Sequence, residues 1–304
     1  MRRLRFHSPG HLVEITSRTL HGRLLLRPGA VFNEIFLGIL GRAQERFAME
    51  VQFAVALSNH YHLLLRPRDH HQLSAFMSYL NGNLAKEVGR MYGWKEKIWG
   101  RRYQGILVSD EPTAQIERLR YLLAHGVKEG LVAQVADWPG PNFLEALLNL
   151  EPLQGTWFDR TAEGKARRKG ELVAARDHAT PQFVVLSPLP CWQHLSKDEH
   201  RAAVLSLVAG VEAAAEAERA ITQREPLGAS EVLRQPPHQA PLRSKRSPAP
   251  WFHTATREAR LALRAAYSAF LDQYRAAAAA LRKGGRRLAF PAGSFPPALP
   301  WVRA

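Results

Sequence analysis

Asn59-His60-Tyr61-His62-Leu63-Leu64-Leu65 is the stretch from which the rest of the chain can be ordered. Residues 61–65 read as a strand that Pro67 ends. Ser58-Asn59 supply a turn after an earlier buried run, Val51-Gln52-Phe53-Ala54-Val55-Ala56-Leu57. Two strands joined by so short a turn lie antiparallel. Side chains on a strand alternate faces, so His60 and His62 point the same way, about 6–7 Å apart, and Tyr61 and Leu63 point the other way. Two imidazoles on one face can converge on a divalent ion. An isolated His-x-His leaves open two half-buried or surface histidines.

Upstream of the hairpin, Val31, Ile35, Phe36, Ile39 and Leu40 recur at helical spacing over residues 31–46. Before them, His11-Leu12-Val13-Glu14-Ile15-Thr16-Ser17 alternates loosely and suggests a strand. Downstream, His70-His71 read as loop residues. Leu73, Phe76, Met77, Leu80, Leu84 and Val88 then form a helical stripe stopped near Gly93. A strand is expected at 102–109, followed by a helix capped at Thr113 and running to Gly126. The order strand, helix, two strands, helix, strand, helix predicts an α+β domain whose helices gather on one face of a mostly antiparallel sheet.

That domain is expected to occupy residues 1–140. A mainly helical extension is expected over 141–225. Within it, Gly155, Gly164 and Gly170 punctuate a charged stretch, 151–176, read as partly mobile, and residues 198–222 form an Ala- and Glu-rich helix. Residues 226–253 read as a Pro-rich basic linker, with Arg243, Lys245 and Arg246 among the prolines. Residues 254–304 carry a long helix with Leu263, Tyr267, Phe270, Tyr274 and Leu281 on one face, then a Pro- and aromatic-rich tail expected to pack back on the body.

Lys and Arg number 42 against 27 Asp and Glu, a formal net charge of +15. Such a balance favours a polyanionic partner, because cationic side chains displace the counterions condensed on nucleic-acid phosphates. The lone cysteine, Cys191, cannot form an internal disulfide. No apolar signal core follows the basic N-terminus, and no run reaches the roughly 18 apolar residues of a membrane span. A cytoplasmic protein with no membrane partner is the expectation. The runs Lys165-Ala166-Arg167-Arg168-Lys169, Arg243-Ser244-Lys245-Arg246 and Arg282-Lys283-Gly284-Gly285-Arg286-Arg287 are either solvated surface or nucleic-acid contacts.

A second chemical pattern is Tyr121-Leu122-Leu123-Ala124-His125 on the domain's last helix. Residues i and i+4 share a helical face, so Tyr121 and His125 project together. A tyrosine hydroxyl beside a bound divalent ion can attack a phosphodiester. Taken alone, a tyrosine such as Tyr121 is more often a core aromatic. Tyr103, beside a strand and after two arginines, is the rival nucleophile and is read as structural.

Taken together, residues 8–140 resemble the HUH-type single-tyrosine transposases of small bacterial insertion sequences and their REP-associated relatives. The Asn59–Leu65 strand resembles the family's metal-holding Asn-His-hydrophobe-His-Leu-Leu-Leu. The segment Leu73-Ser74-Ala75-Phe76-Met77-Ser78-Tyr79-Leu80-Asn81 matches its following helix, and Trp99-Gly100-Arg101-Arg102-Tyr103 its Trp-x-x-Arg-aromatic segment. Tyr121 to Val132 is similar to its nucleophile helix end, and His11 to Arg18 to its first strand. One departure stands out, since the family's Asn-Pro is here His125-Gly126. Imidazole is a competent but softer ligand that moves metal preference towards Mn²⁺ or Zn²⁺.

The resemblance implies a ferredoxin-like antiparallel sheet with helices on one face, the HUH endonuclease fold. It implies Mg²⁺ or Mn²⁺ held by His60, His62 and His125, with Tyr121 as nucleophile. It also implies contacts to single-stranded or hairpin DNA by Arg18, Asn59, Arg101, Arg102 and Lys128. The expected reaction forms a 5′-phosphotyrosine and a free 3′-hydroxyl, needing no ATP, in keeping with the lack of a phosphate-binding Gly-x-x-x-x-Gly-Lys loop. Relatives include swapped homodimers as well as monomers. Three other readings stay open: a domesticated binder that keeps the fold without cleaving, a replication-initiator or relaxase nickase, and a hydrolase that uses water.

Overall fold

The protein's structure, a computed structural model, describes residues 4, 6, 8–141, 143–174, 176–241 and 250–298. The run Arg243-Ser244-Lys245-Arg246 and the end of the tail at Trp301 lie outside the described residues. The first half contains β1 (Leu12–Arg18), α1 (Ala30–Phe47), β2 (Glu50–Leu57), β3 (His60–Arg66), α2 (His70–Tyr92), β4 (Gln104–Val108), α3 (Pro112–Leu123) and α4 (His125–Lys128). The second half contains α5 (Leu144–Asn149), β5 (Leu153–Phe158), α6 (Arg160–Arg168), β6 (Ala179–Val184), α7 (Lys197–Thr222), α8 (Ala229–Arg234), β7 (Phe252–His253) and α9 (Arg257–Arg282).

The main sheet has the order β2-β3-β1-β4-β7. Its first four strands are antiparallel, and β7 adds to β4 in parallel. The α+β class expected from the sequence is what forms, with a helical region towards the C-terminus. The cover of the sheet is a correction, because helices lie on both faces rather than one. On the Tyr61 face, Phe36 of α1 meets the Tyr61 ring edge-on at 5.8 Å, and the Tyr61 hydroxyl donates to Asn81 of α2 at 2.8 Å. The opposite face, with His62, Phe53 and Val55, is covered by α3, α4 and the segment after them. There Trp138 Nε1 donates to the Ala56 carbonyl at 3.0 Å, and Phe143 packs on Phe53. Nearly every residue of β2 and β3 is buried, and a sheet apolar on both sides must be covered on both.

Three local expectations also change. His70 and His71 form the first turn of α2, because Asp69 caps it by accepting from the Gln72 N–H at 2.8 Å. Helix α3 starts two residues earlier than a Thr113 cap predicts, with Glu111 at the cap and Pro112 in the first turn. The charged stretch 151–176, read as partly mobile, contains β5 and α6, and β5 pairs antiparallel with β6 in a hairpin. That hairpin lies across α1, where Gly38 and Gly155 approach backbone to backbone. Glycines that look like linker punctuation are there to let two backbones meet.

The Pro-rich stretch is docked rather than free over its described part. The Leu24 N–H donates to the Gln239 carbonyl at 3.0 Å, and His238 stacks on Trp94 at 5.4 Å. The tail's Phe290 packs on Tyr274 of α9 at 5.6 Å. Among the described residues, no helix is long and apolar enough to cross a membrane.

Candidate metal centre and nucleophile

Strand β3 carries His60 and His62, with Tyr61 turned into the core between α1 and α2. Its register sets their neighbours, with Thr16 of β1 opposite His62 and Arg18 opposite His60. Helix α3 ends at Leu123 and the chain resumes as α4 at His125, after Ala124. This brings His125 over β3, with its ring centroid 4.2 Å from that of His62 and 5.9 Å from that of His60. One ring nitrogen from each of the three histidines falls within 4.8 Å of the others.

Each histidine has an oxygen at Nδ1. His60 Nδ1 lies 2.6 Å from Asn59 Oδ1, His62 Nδ1 lies 2.6 Å from Glu14 Oε1, and His125 Nδ1 lies 3.0 Å from the Tyr121 carbonyl. Oxygens that accept at Nδ1 put the proton there and leave Nε2 with its lone pair. His62 Nε2 is buried and has no hydrogen-bond partner among the described residues. Burial pushes the pKa of His62 down to about 3, and burial with the neighbouring imidazoles holds His60 and His125 well below the usual histidine range. Three neutral imidazoles with convergent lone pairs suit a divalent transition-metal ion.

Behind this cluster lies a buried charge bridge that the sequence reading missed. Glu14, 1% exposed, accepts from His62 through one carboxylate oxygen and pairs with the Arg118 guanidinium through the other. Arg118 is itself buried on α3, and desolvation draws its pKa down to about 10, so it remains charged at neutral pH. Its guanidinium carbon sits 4.5 Å from the centre of the Tyr121 ring. The Tyr121 ring stands edge-on to His125 at 4.6 Å and to His62 at 6.4 Å. The signals were present in the sequence. Glu14, Thr16 and Arg18 form a polar parity within an otherwise apolar strand, and Arg118 lies one turn before Tyr121.

The other expected residues are placed around this cluster. Arg18 is exposed beside His60, and Asn59 bonds the His60 ring. Lys128 Nζ lies 4.9 Å from the Tyr121 ring centre. Arg101 is exposed and donates to Gln104 at 3.1 Å, and Gln104 pairs opposite Thr16 on the histidine face. Arg102 is exposed in the same turn. Tyr103 has the opposite parity and interacts with Tyr61, on the far side of the sheet from the histidines. Trp99 donates to the Asn81 carbonyl and packs on Tyr61, which gives it a structural use.

Residues 29–121 match a family model described as IS200-like transposase. The match covers less than a third of the chain and runs from the start of α1 to Tyr121, so it includes His60 and His62 and stops short of His125. Among solved structures, the chain is similar to a REP-associated tyrosine transposase bound to a REP hairpin, at 19% identity over 46% of this chain and 81% of that one, with a TM-score of 0.38. It is also similar to a transposase candidate from Deinococcus radiodurans R1, at 19% identity over 39% of this chain and 95% of that one, with a TM-score of 0.29. No curated protein matches the chain.

Proposed function

We propose that the chain, whose residues 29–121 match a family model described as IS200-like transposase, cleaves and rejoins single-stranded or hairpin DNA through a covalent bond to Tyr121. The observation that carries this reading is the convergence of His60, His62 and His125 beside the Tyr121 ring within one chain. These three histidines would hold Mg²⁺ or Mn²⁺, and a bound ion supplies Lewis-acid polarisation of a phosphodiester.

The chain's own residues account for the rest. The Tyr121 oxygen attacks phosphorus, a P–O bond forms to the phenol, and the bond to the departing 3′-oxygen breaks. The phenol gives up one proton and the 3′-oxygen gains one, so a 5′-phosphotyrosine and a 3′-hydroxyl result. A 3′-hydroxyl of a second strand reverses the step, and the phosphodiester energy is conserved. Arg118 and Lys128, both within 5 Å of the ring centre, hold the ring by cation–π contact. Glu14 fixes the tautomer and rotation of His62. Arg18, Asn59, Arg101 and Arg102 would contact backbone phosphates, a role supported by the pairing of Arg18 opposite His60 and the bond of Asn59 to the His60 ring.

The test is a denaturing gel of purified protein with labelled single-stranded DNA from its flanking locus, in Mg²⁺ or Mn²⁺. A covalent protein–DNA band that requires the metal and disappears in Tyr121→Phe is expected. DNA binding without any adduct would replace this reading with that of a non-cleaving binder. Cleavage that survives Tyr121→Phe would indicate a water nucleophile.

A further inference from the structure

Helix α9 lies outside the metal centre and outside the matched family segment. It has one buried seam, made by Leu263, Phe270, Tyr274 and Ala278. At 100° per residue, Arg257, Arg260, Arg264, Arg275 and Arg282 fall within an arc of about 60° that flanks this seam. All five are exposed. Of their side chains, only Arg275 has an ion-pair partner among the described residues, Asp272 at 3.2 Å. The two acidic residues of the helix, Glu258 and Asp272, lie on a different arc. At 1.5 Å per residue, the arginine row extends about 37 Å, close to one turn of a DNA duplex.

The helix is also fixed relative to the proposed catalytic residues. β7, four residues before α9, joins the sheet at β4. An aromatic cluster of Phe6, Phe252, Tyr267 and Phe270 locks the seam, with ring centroids 5.6 to 6.3 Å apart. The carboxylate of Glu111, which stands at the cap of the Tyr121 helix, accepts the Ala255 and Thr256 N–H groups at 2.9 and 3.0 Å. The start of α9 and the start of α3 are therefore held by one side chain.

The geometry points to the α9 arginine row as a second DNA-binding surface, which takes the phosphate backbone of duplex DNA and holds it at a set position relative to Tyr121. Its partner class rests on the DNA-processing reading above, but its contacts are separate from that chemistry. A row of guanidinium groups without base-reading partners binds phosphates and not sequence.

The experiment measures binding of the full chain to a blunt duplex of about two helical turns and to a short single strand, across a salt series. The triple variant R257Q/R260Q/R264Q is compared with wild type. Loss of three phosphate contacts lowers the slope of log K against log salt by about 2 to 3. We expect that change for the duplex, with no change in metal-dependent adduct formation on the short single strand. Arg264→Glu alone is expected to weaken duplex binding in the same direction, and unchanged melting temperature verifies folding of both variants. Duplex affinity and salt slope equal to wild type in folded variants would overturn the proposal. If wild type binds duplex through these arginines yet forms no Tyr121 adduct, the surface stands and the cleavage reading falls.

Discussion

At the residue scale, one carboxylate decides how the histidine cluster is built. Glu14 is buried between His62 and Arg118, and the Thr16 hydroxyl donates to the same carboxylate at 3.5 Å. Removing its charge while keeping its shape, in Glu14→Gln, strands the Arg118 guanidinium in the interior. Breaking a buried pair by one partner costs roughly 3–5 kcal/mol. Loss of the carboxylate behind a liganding histidine also weakens metal affinity by roughly 10–100-fold. The two effects separate in the double variant E14Q/R118M, where no unpaired charge is left. Urea melts should show most of the stability restored in the double variant. Calorimetric titration with Mn²⁺ should show affinity still reduced. Full recovery of metal affinity in the double variant would mean that Glu14 serves Arg118 alone.

At the scale of elements, the β5–β6 hairpin is positioned by glycines rather than by side-chain packing alone. A Cβ on Gly38 would overlap the Thr156 backbone, and one on Gly41 would come within 2.7 Å of the Phe183 carbonyl. Gly38→Ala raises helix propensity by about 1 kcal/mol, but overpacking against backbone that cannot move aside costs about 1–3 kcal/mol. The clash wins, and the hairpin should loosen from α1. Limited trypsin digestion should then cut earlier near Arg167 and Arg168, which are exposed on α6. Metal binding at the histidines should be unchanged, because they lie on the opposite face of the sheet. Unaltered digestion would show that the hairpin can shift without undocking.

At the scale of the whole molecule, the question is whether one chain suffices. Tyr121 stands beside His62 and His125 of its own chain, so the proposed mechanism predicts a site assembled within one chain. Mixing inactive Tyr121→Phe with inactive His62→Ala should therefore not restore the covalent adduct, measured on the same denaturing gels. Restored activity in the mixture would require each site to combine residues from two chains, and would overturn assembly within one chain.

What the sequence by itself determined was the periodic part of the molecule. The His-x-His parity of β3, the i,i+4 pairing of Tyr121 with His125 and the helical stripes of α1, α2, α7 and α9 are local geometry, set by 2.0 and 3.6 residues per turn. Tertiary structure decided what depends on contacts distant in the chain. That Glu14 meets Arg118 across 104 positions is decided by where α3 crosses β1. No periodicity records that crossing. The second covered face of the sheet, the hairpin seated on α1 and the entry of β7 beside β4 are of the same kind. Glycine and proline mark where a backbone may turn or approach another, and only the folded chain shows which backbone comes to meet it.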